Sequence, residues 1–133
     1  MNRKHKYLAI LAVLVVAALA FAASAFSRSS STSRTVTLKG VVGPGFTISL
    51  KKGGRKVKTL KAGKYKFVIA DKSTFHNFTV EREHPSKPKL EKHITSTPFT
   101  GSKTLVMTLK PGSWRYYCSL HETQMHHDFK VTR

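Results

Sequence analysis

After its first 25 residues the chain has no stretch with a helical period. It is a succession of short alternating segments cut by Gly and Pro. TVTLKG (35–40), FTISLKK (46–52), KYKFVIAD (64–71), HNFTVE (76–81), TLVMTLK (104–110), SWRYYCS (113–119) and DFKVT (128–132) alternate apolar with polar residues. GPG (43–45), GGR (53–55) and PG (111–112) punctuate them. A period of two places alternate side chains on opposite faces of a strand. Within FTISLKK it places Phe46, Ile48 and Leu50 on one inward face, and within TLVMTLK it places Leu105, Met107 and Leu109 together. Seven or eight short strands at regular spacing predict an all-β fold, a Greek-key antiparallel β-sandwich. Residues 82–103 are polar and Pro-containing and read as a long loop with room for short irregular pieces.

The N-terminus is of another kind. Arg3, Lys4 and Lys6 precede an apolar run from Tyr7 to Ala22, and Ala23-Ser24-Ala25 follows as a small-x-small cleavage site. This is the layout of a secretory signal peptide over residues 1–25. An uncleaved membrane anchor is the other reading, since the run approaches spanning length. Either way the folded part is expected outside the cytoplasm: periplasmic, at the cell surface or secreted. Residues 26–34, FSRSSSTSR, read as a Ser-rich linker, which leaves one domain over 35–133.

Charge narrows the partners. The chain carries +18, of which Arg3, Lys4 and Lys6 account for three. A surface of that sign attracts acidic proteins, anionic lipid or wall polymers. An acidic redox partner, held by salt-sensitive attraction, is the expectation. No nucleic-acid-binding module is recognisable in this exported chain, so nucleic acid is not expected. The domain is expected to be a monomer.

Cys118 is the only cysteine, so no internal disulfide is available. An exposed thiol outside the cell oxidises, which points to a protected thiol or a metal ligand. On the strand SWRYYCS, Trp114, Tyr116 and Cys118 share one face, and the bulk of the aromatics turns that face inward. Leu120 and His121 lie on the loop leaving the strand, and Met125 follows, giving C-x2-H-x3-M. A further donor is His76, between Phe75 and Phe78. Two imidazoles, a thiolate and a weak axial thioether suit a copper ion cycling between Cu(I) and Cu(II). Zinc could take the Cys and two His, but a thioether is a poor fourth ligand for it.

HNF (76–78) and YYCSLHETQMHHDFKV (116–131) resemble the cupredoxins, the small blue copper proteins that include plastocyanin, pseudoazurin and amicyanin. The resemblance spans residues 35–133. It implies a type 1 copper site with His76, Cys118, His121 and Met125 as ligands, and a bracing role for Asn77. Two features differ from the family pattern. His127 stands where many members have Gly, and the Cys–His–Met spacing differs from plastocyanin by one residue. A site without an axial Met125, or one completed by His126 or His127, therefore stays open. Those two histidines are expected to be exposed at the mouth of the site, as a copper entry point or an electron-exchange surface. His84 and His93 receive no role.

Three functions follow from these residues. One is single-electron transfer by one copper ion, without enzymatic activity. The second is copper carriage or buffering without redox turnover. The third is a metal-free basic interaction module.

Overall fold

The computed structural model describes residues 34–133; the expected signal segment and all but the last residue of the Ser-rich linker lie outside the described residues. The described chain is all-β. Its strands are β1 (Val36–Val42), β2 (Ile48–Lys52), β3 (Arg55–Lys56), β4 (Thr59–Lys61), β5 (Gly63–Asp71), β6 (Thr79–His84), β7 (Glu91–His93), β8 (Gly101–Leu109), β9 (Gly112–Tyr117) and β10 (His126–Thr132). They form two five-stranded sheets in the orders β3-β2-β1-β5-β8 and β4-β10-β9-β6-β7.

The sandwich expected from the alternation is present, with two differences of detail. There are ten strands, because β3, β4 and β7 have only two or three residues. Such short pieces carry no readable period, and β7 sits inside the stretch that reads as loop. The sheets are also mixed: β1 pairs with β5, and β4 with β10, in parallel. A parallel pair needs a long crossover, and local alternation is blind to which distant strand becomes the neighbour.

Alternate residues of both sheets turn inward and meet. Leu38, Val42, Leu50, Phe67 and Ile69 come from the first sheet; Val80, Trp114, Tyr116, Phe129 and Val131 come from the second. Phe78 and Tyr116 stack with ring centroids 5.7 Å apart and planes 5° from parallel, an arrangement that adds to area burial. The indole Nε1 of Trp114 donates to Lys110 O at 2.9 Å, so the largest core side chain leaves no orphan donor. Leu109 is fully buried, while Leu105 and Met107 are partly buried against the core.

Gly40 of β1 faces Phe78, the residue immediately before β6. A Cβ there would collide with Ile69 Cδ1 and sit 3.0 Å from the ring of Phe78. Glycine is what lets Phe78, two residues beyond His76, pack flush against β1.

One expectation about the first sheet fails. Phe46 does not join Ile48 and Leu50 in the core. It precedes β2 and is 60% exposed, because Gly43 and Gly45 take positive φ and the chain turns sharply there. Gly43 N donates to Thr47 O at 2.8 Å, and Thr47 N to Gly45 O at 2.9 Å. The turn breaks the alternation one step before Ile48.

Candidate metal centre

His76 and Asn77 lie in the connection between β5 and β6, and Cys118 directly follows β9. His121 and Met125 lie in the loop between β9 and β10. This loop closes on itself through its backbone. His121 N donates to Cys118 O at 3.1 Å, Met125 N to His121 O at 2.8 Å, and Cys118 N to Met125 O at 3.0 Å. Trp114 and Tyr116 of β9 and Cys118 just beyond it are all fully buried.

His76, Cys118 and His121 each offer one donor atom, and the three atoms lie within 4.8 Å of one another. Both imidazoles present Nδ1. The two nitrogens are 3.1 Å apart, and the Cys118 Sγ stands 3.8 Å from His76 Nδ1 and 3.7 Å from His121 Nδ1. An ion bound at about 2.0 Å to nitrogen and about 2.3 Å to thiolate spreads its donors roughly 3.3–3.8 Å apart. Both sulfur–nitrogen separations fall within that range, and the nitrogen–nitrogen separation falls slightly below it. The donor set and its spacing fit a small soft or borderline cation.

His76 and Cys118 are buried, and His121 is half-buried. The cluster therefore meets solvent through His121. Met125 is fully buried among the core side chains, and its carbonyl accepts from the Cys118 amide. The fold thus brings His76, Cys118 and His121 together and seats Met125 at the closing end of their loop.

Asn77 joins the two loops that carry the donors. Its Nδ2 donates to Ser119 Oγ at 2.8 Å, and its Oδ1 accepts from Ser119 N at 2.9 Å. The Asn77 amide points to the Cys118 sulfur at 3.5 Å. The Phe78 amide donates to Thr95 Oγ1 at 2.9 Å, which fixes the far side of the same connection.

His126 and His127 are half-buried rather than exposed, and neither joins the donor cluster. His126 Nδ1 donates to Glu122 O at 2.7 Å. Lys56 Nζ donates to His127 Nδ1 at 3.0 Å. Burial, and then the positive charge of Lys56, hold the His127 imidazole below its usual basicity. Their places at the start of β10, paired with Tyr117 and Tyr116 of β9, turn them along the sheet. His93 bonds Thr79 Oγ1 through Nδ1 at 2.8 Å, and His84 closes β6 in the open.

Phe46 is the neighbour that the alternation hides. Its ring centroid is 5.4 Å from that of His76 and 5.1 Å from that of His121. It covers the outer edge of both imidazoles. GPGF is the only available signal, a turn that throws the following aromatic out of the strand.

No protein-family model matches the chain, and no curated protein does. Solved structures do. Rusticyanin from Thiobacillus ferrooxidans matches with a TM-score of 0.52 at 20% identity, over 74% of this chain and 77% of that one. Reduced rusticyanin gives 0.52 at 18% identity, over 74% and 79%. A multi-copper oxidase from Pediococcus acidilactici matches 74% of this chain with 26% of its own length, at 14% identity and a TM-score of 0.50. At these identities the likeness is one of fold, and the fold is that of the cupredoxins.

Proposed function

We propose that this chain binds a single copper ion and carries electrons one at a time between partners outside the cytoplasmic membrane. His76 Nδ1, Cys118 Sγ and His121 Nδ1 would hold the ion, with Met125 as a weaker fourth ligand. The observation that carries the reading is the convergence of two imidazole nitrogens and one buried sulfur within 4.8 Å at one end of a cupredoxin sandwich. Bound copper would supply the Cu(I)/Cu(II) couple, to which thiolate and imidazole donors are suited.

The protein's part is to hold the donors still. Cys118 is fixed by the hydrogen bond its backbone N–H donates to Met125 O, and His76 by its neighbour Asn77. Two sheets packed through large aromatics resist rearrangement when the ion's charge changes. Such rigidity favours electron transfer over copper hand-over, which needs ligands that let go. The fold occurs in a multi-copper oxidase as well as in rusticyanin. We read this chain as a carrier rather than an enzyme, because one thiolate-centred site is the metal cluster its described residues supply. Net charge alone supports acidic partner surfaces and a monomeric carrier.

The test is titration of the metal-free protein with Cu(II), followed by optical and spin-resonance spectra. One equivalent should give an intense visible thiolate-to-copper band, and Cys118→Ser should remove it. Stoichiometric copper with no such band would overturn the copper site proposed here. A band accompanied by slow self-exchange and rapid loss of Cu(I) to a chelator would overturn electron transfer in favour of carriage.

A further inference from the structure

The six acidic residues of the sequence are Asp71, Glu81, Glu83, Glu91, Glu122 and Asp128. None lies on β1, β2, β3 or β8. Asp71 ends β5, where it is buried and accepts the Ser73 amide. The other five belong to the second sheet or to the loop before β10. The outer face of the first sheet therefore carries no carboxylate.

It carries lysines in register. Lys39 of β1 stands directly opposite Lys51 of β2. On β5, Lys64 and Lys66 are two residues apart on the same face, opposite Thr108 and Val106 of β8, and Lys66 also faces Thr37 of β1. All four lysines are exposed, and Lys39 and Lys66 sit between buried neighbours. Their side of β1 and β2 is open enough to leave a depression lined by Thr37, Lys39, Lys51, Gly53 and Gly54. Every ion pair among the described residues lies elsewhere. Like charges directly opposite across two strands destabilise a sheet, and no ion pair among the described residues offsets that repulsion here.

We infer that this face docks on an anionic phospholipid membrane, with Lys39, Lys51, Lys64 and Lys66 over the headgroups. Three observations choose a membrane over an acidic protein. The four cations are all lysines, hydrated point charges on flexible stems, with no guanidinium fork for bidentate carboxylate recognition. Val41, Val68 and Val106 lie on the same face, and Val106 is 51% exposed; lysines over apolar side chains make an interfacial surface. Finally, β1 at the centre of this sheet follows the apolar run Tyr7–Ala22 after 13 residues, which span at most about 45 Å. In this pose the sandwich lies on its flank. The end that carries His121, Phe46 and Leu120 then stays free for a soluble partner. The inference makes no use of a metal, so its failure and that of the copper reading are separable.

The test is lysine footprinting on the full chain with a water-soluble acylating reagent, read by mass spectrometry. Phosphatidylcholine vesicles are compared with vesicles that also contain phosphatidylglycerol. Any contribution of the apolar N-terminal run is common to both. Acylation of Lys39, Lys51, Lys64 and Lys66 should fall severalfold on the anionic vesicles alone, while Lys92, Lys110 and Lys130 stay reactive. The protection should vanish in about 1 M salt, where the screening length is about 3 Å. In K39Q/K51Q/K66Q, whose changes all lie on the outer face, Lys64 should react equally on both vesicles. Equal reactivity of the two faces on anionic vesicles would overturn the inference. So would protection by soluble polyglutamate without protection by anionic vesicles, which would assign the face to an acidic protein.

Discussion

Asn77 and Ser119 hold each other by two hydrogen bonds, side chain to side chain at 2.8 Å and backbone amide to side chain at 2.9 Å. They sit next to His76 and Cys118, so this pair couples two donors that are 42 residues apart in sequence. Asn77→Ala breaks both bonds and leaves the Ser119 amide without its partner. Loss of partly buried hydrogen bonds costs about 1–3 kcal/mol, read as a lower urea midpoint of the metal-free protein. Copper affinity, measured by competition with a chelator, should fall about 10–100-fold, as for other groups that orient metal ligands. A variant that loses stability but keeps full affinity would show that Asn77 only supports the fold.

Met125 is fully buried, so its two roles need different substitutions. Met125→Ala leaves a cavity and should cost about 2–5 kcal/mol. Met125→Leu conserves volume and should cost less than about 1.5 kcal/mol. If the thioether is the axial donor, Met125→Leu removes a group that stabilises the oxidised ion. The reduction potential should then rise and the spin-resonance line shape change, while the melting temperature of the metal-free protein stays near that of the wild type. An unchanged potential would take Met125 out of the ligand set.

Gly40→Ala tests how the first sheet sets the site. The added methyl meets Ile69 and the Phe78 ring. Over-packing of this kind costs about 1–3 kcal/mol, visible in the urea midpoint. Because Phe78 follows His76 and Asn77, the same variant should weaken copper binding. Gly53→Ala would also face strain from its positive φ, but its Cβ meets no neighbouring atom. It should leave copper binding unchanged.

Stability should fall at both ends of the pH scale. Hydrogen bonding to Arg115 holds the Asp128 carboxyl low, and Lys89 and then Tyr117 do the same for Glu91. A carboxyl with a depressed folded-state value contributes stability above its unfolded value, about 4, and loses it as pH falls through the folded value. On the alkaline side, burial and then the hydrogen-bonded carboxylates of Glu91 and Glu81 raise the Tyr117 phenol. Above about pH 10 the unfolded tyrosine gives up its proton while the folded one keeps it. Stability then falls with rising pH. Melting temperature against pH should show both declines, and Tyr117→Phe should flatten the alkaline one. Burial also raises Tyr65 and Tyr116, so a residual slope is expected.

Phe46→Ala removes an exposed ring and should change stability little, within about 0.5 kcal/mol. It uncovers the edges of His76 and His121. Removal of copper by a small chelator should therefore become faster. An unchanged rate would show that the ring does not limit access.

Much of this molecule was legible because the period of two survives intact where it matters. Along β9 and the residue after it the period carries Trp114, Tyr116 and Cys118 inward together, and the C-x2-H-x3-M spacing places His121 and Met125 on one tight loop. His76 was legible from its chemistry and its aromatic flanks, and Asn77 only through the family resemblance. What stayed hidden depended on distance along the chain. The parallel pairing of β1 with β5 is decided by packing between segments that share no local signal. The two-residue β3 is too short to show a period. Phe46 misled because a glycine turn broke the alternation immediately before Ile48, and the same break put its ring over the histidines. His126 and His127 misled in the opposite way: loop composition suggested open ligands, whereas the start of β10 ties them to Glu122 O and Lys56.

The backbone ring that closes residues 118–125 has an evolutionary consequence. The ring is drawn shut by the peptide groups of Cys118, His121 and Met125, not by the side chains of the residues between. The side chains of Thr123 and Gln124 are exposed and meet each other; Gln124 contributes to the ring only through its backbone amide, which donates to His121 O at 3.1 Å. Lineages can rewrite those two positions, and with them the local texture that an approaching molecule feels, while the inner geometry is inherited unaltered.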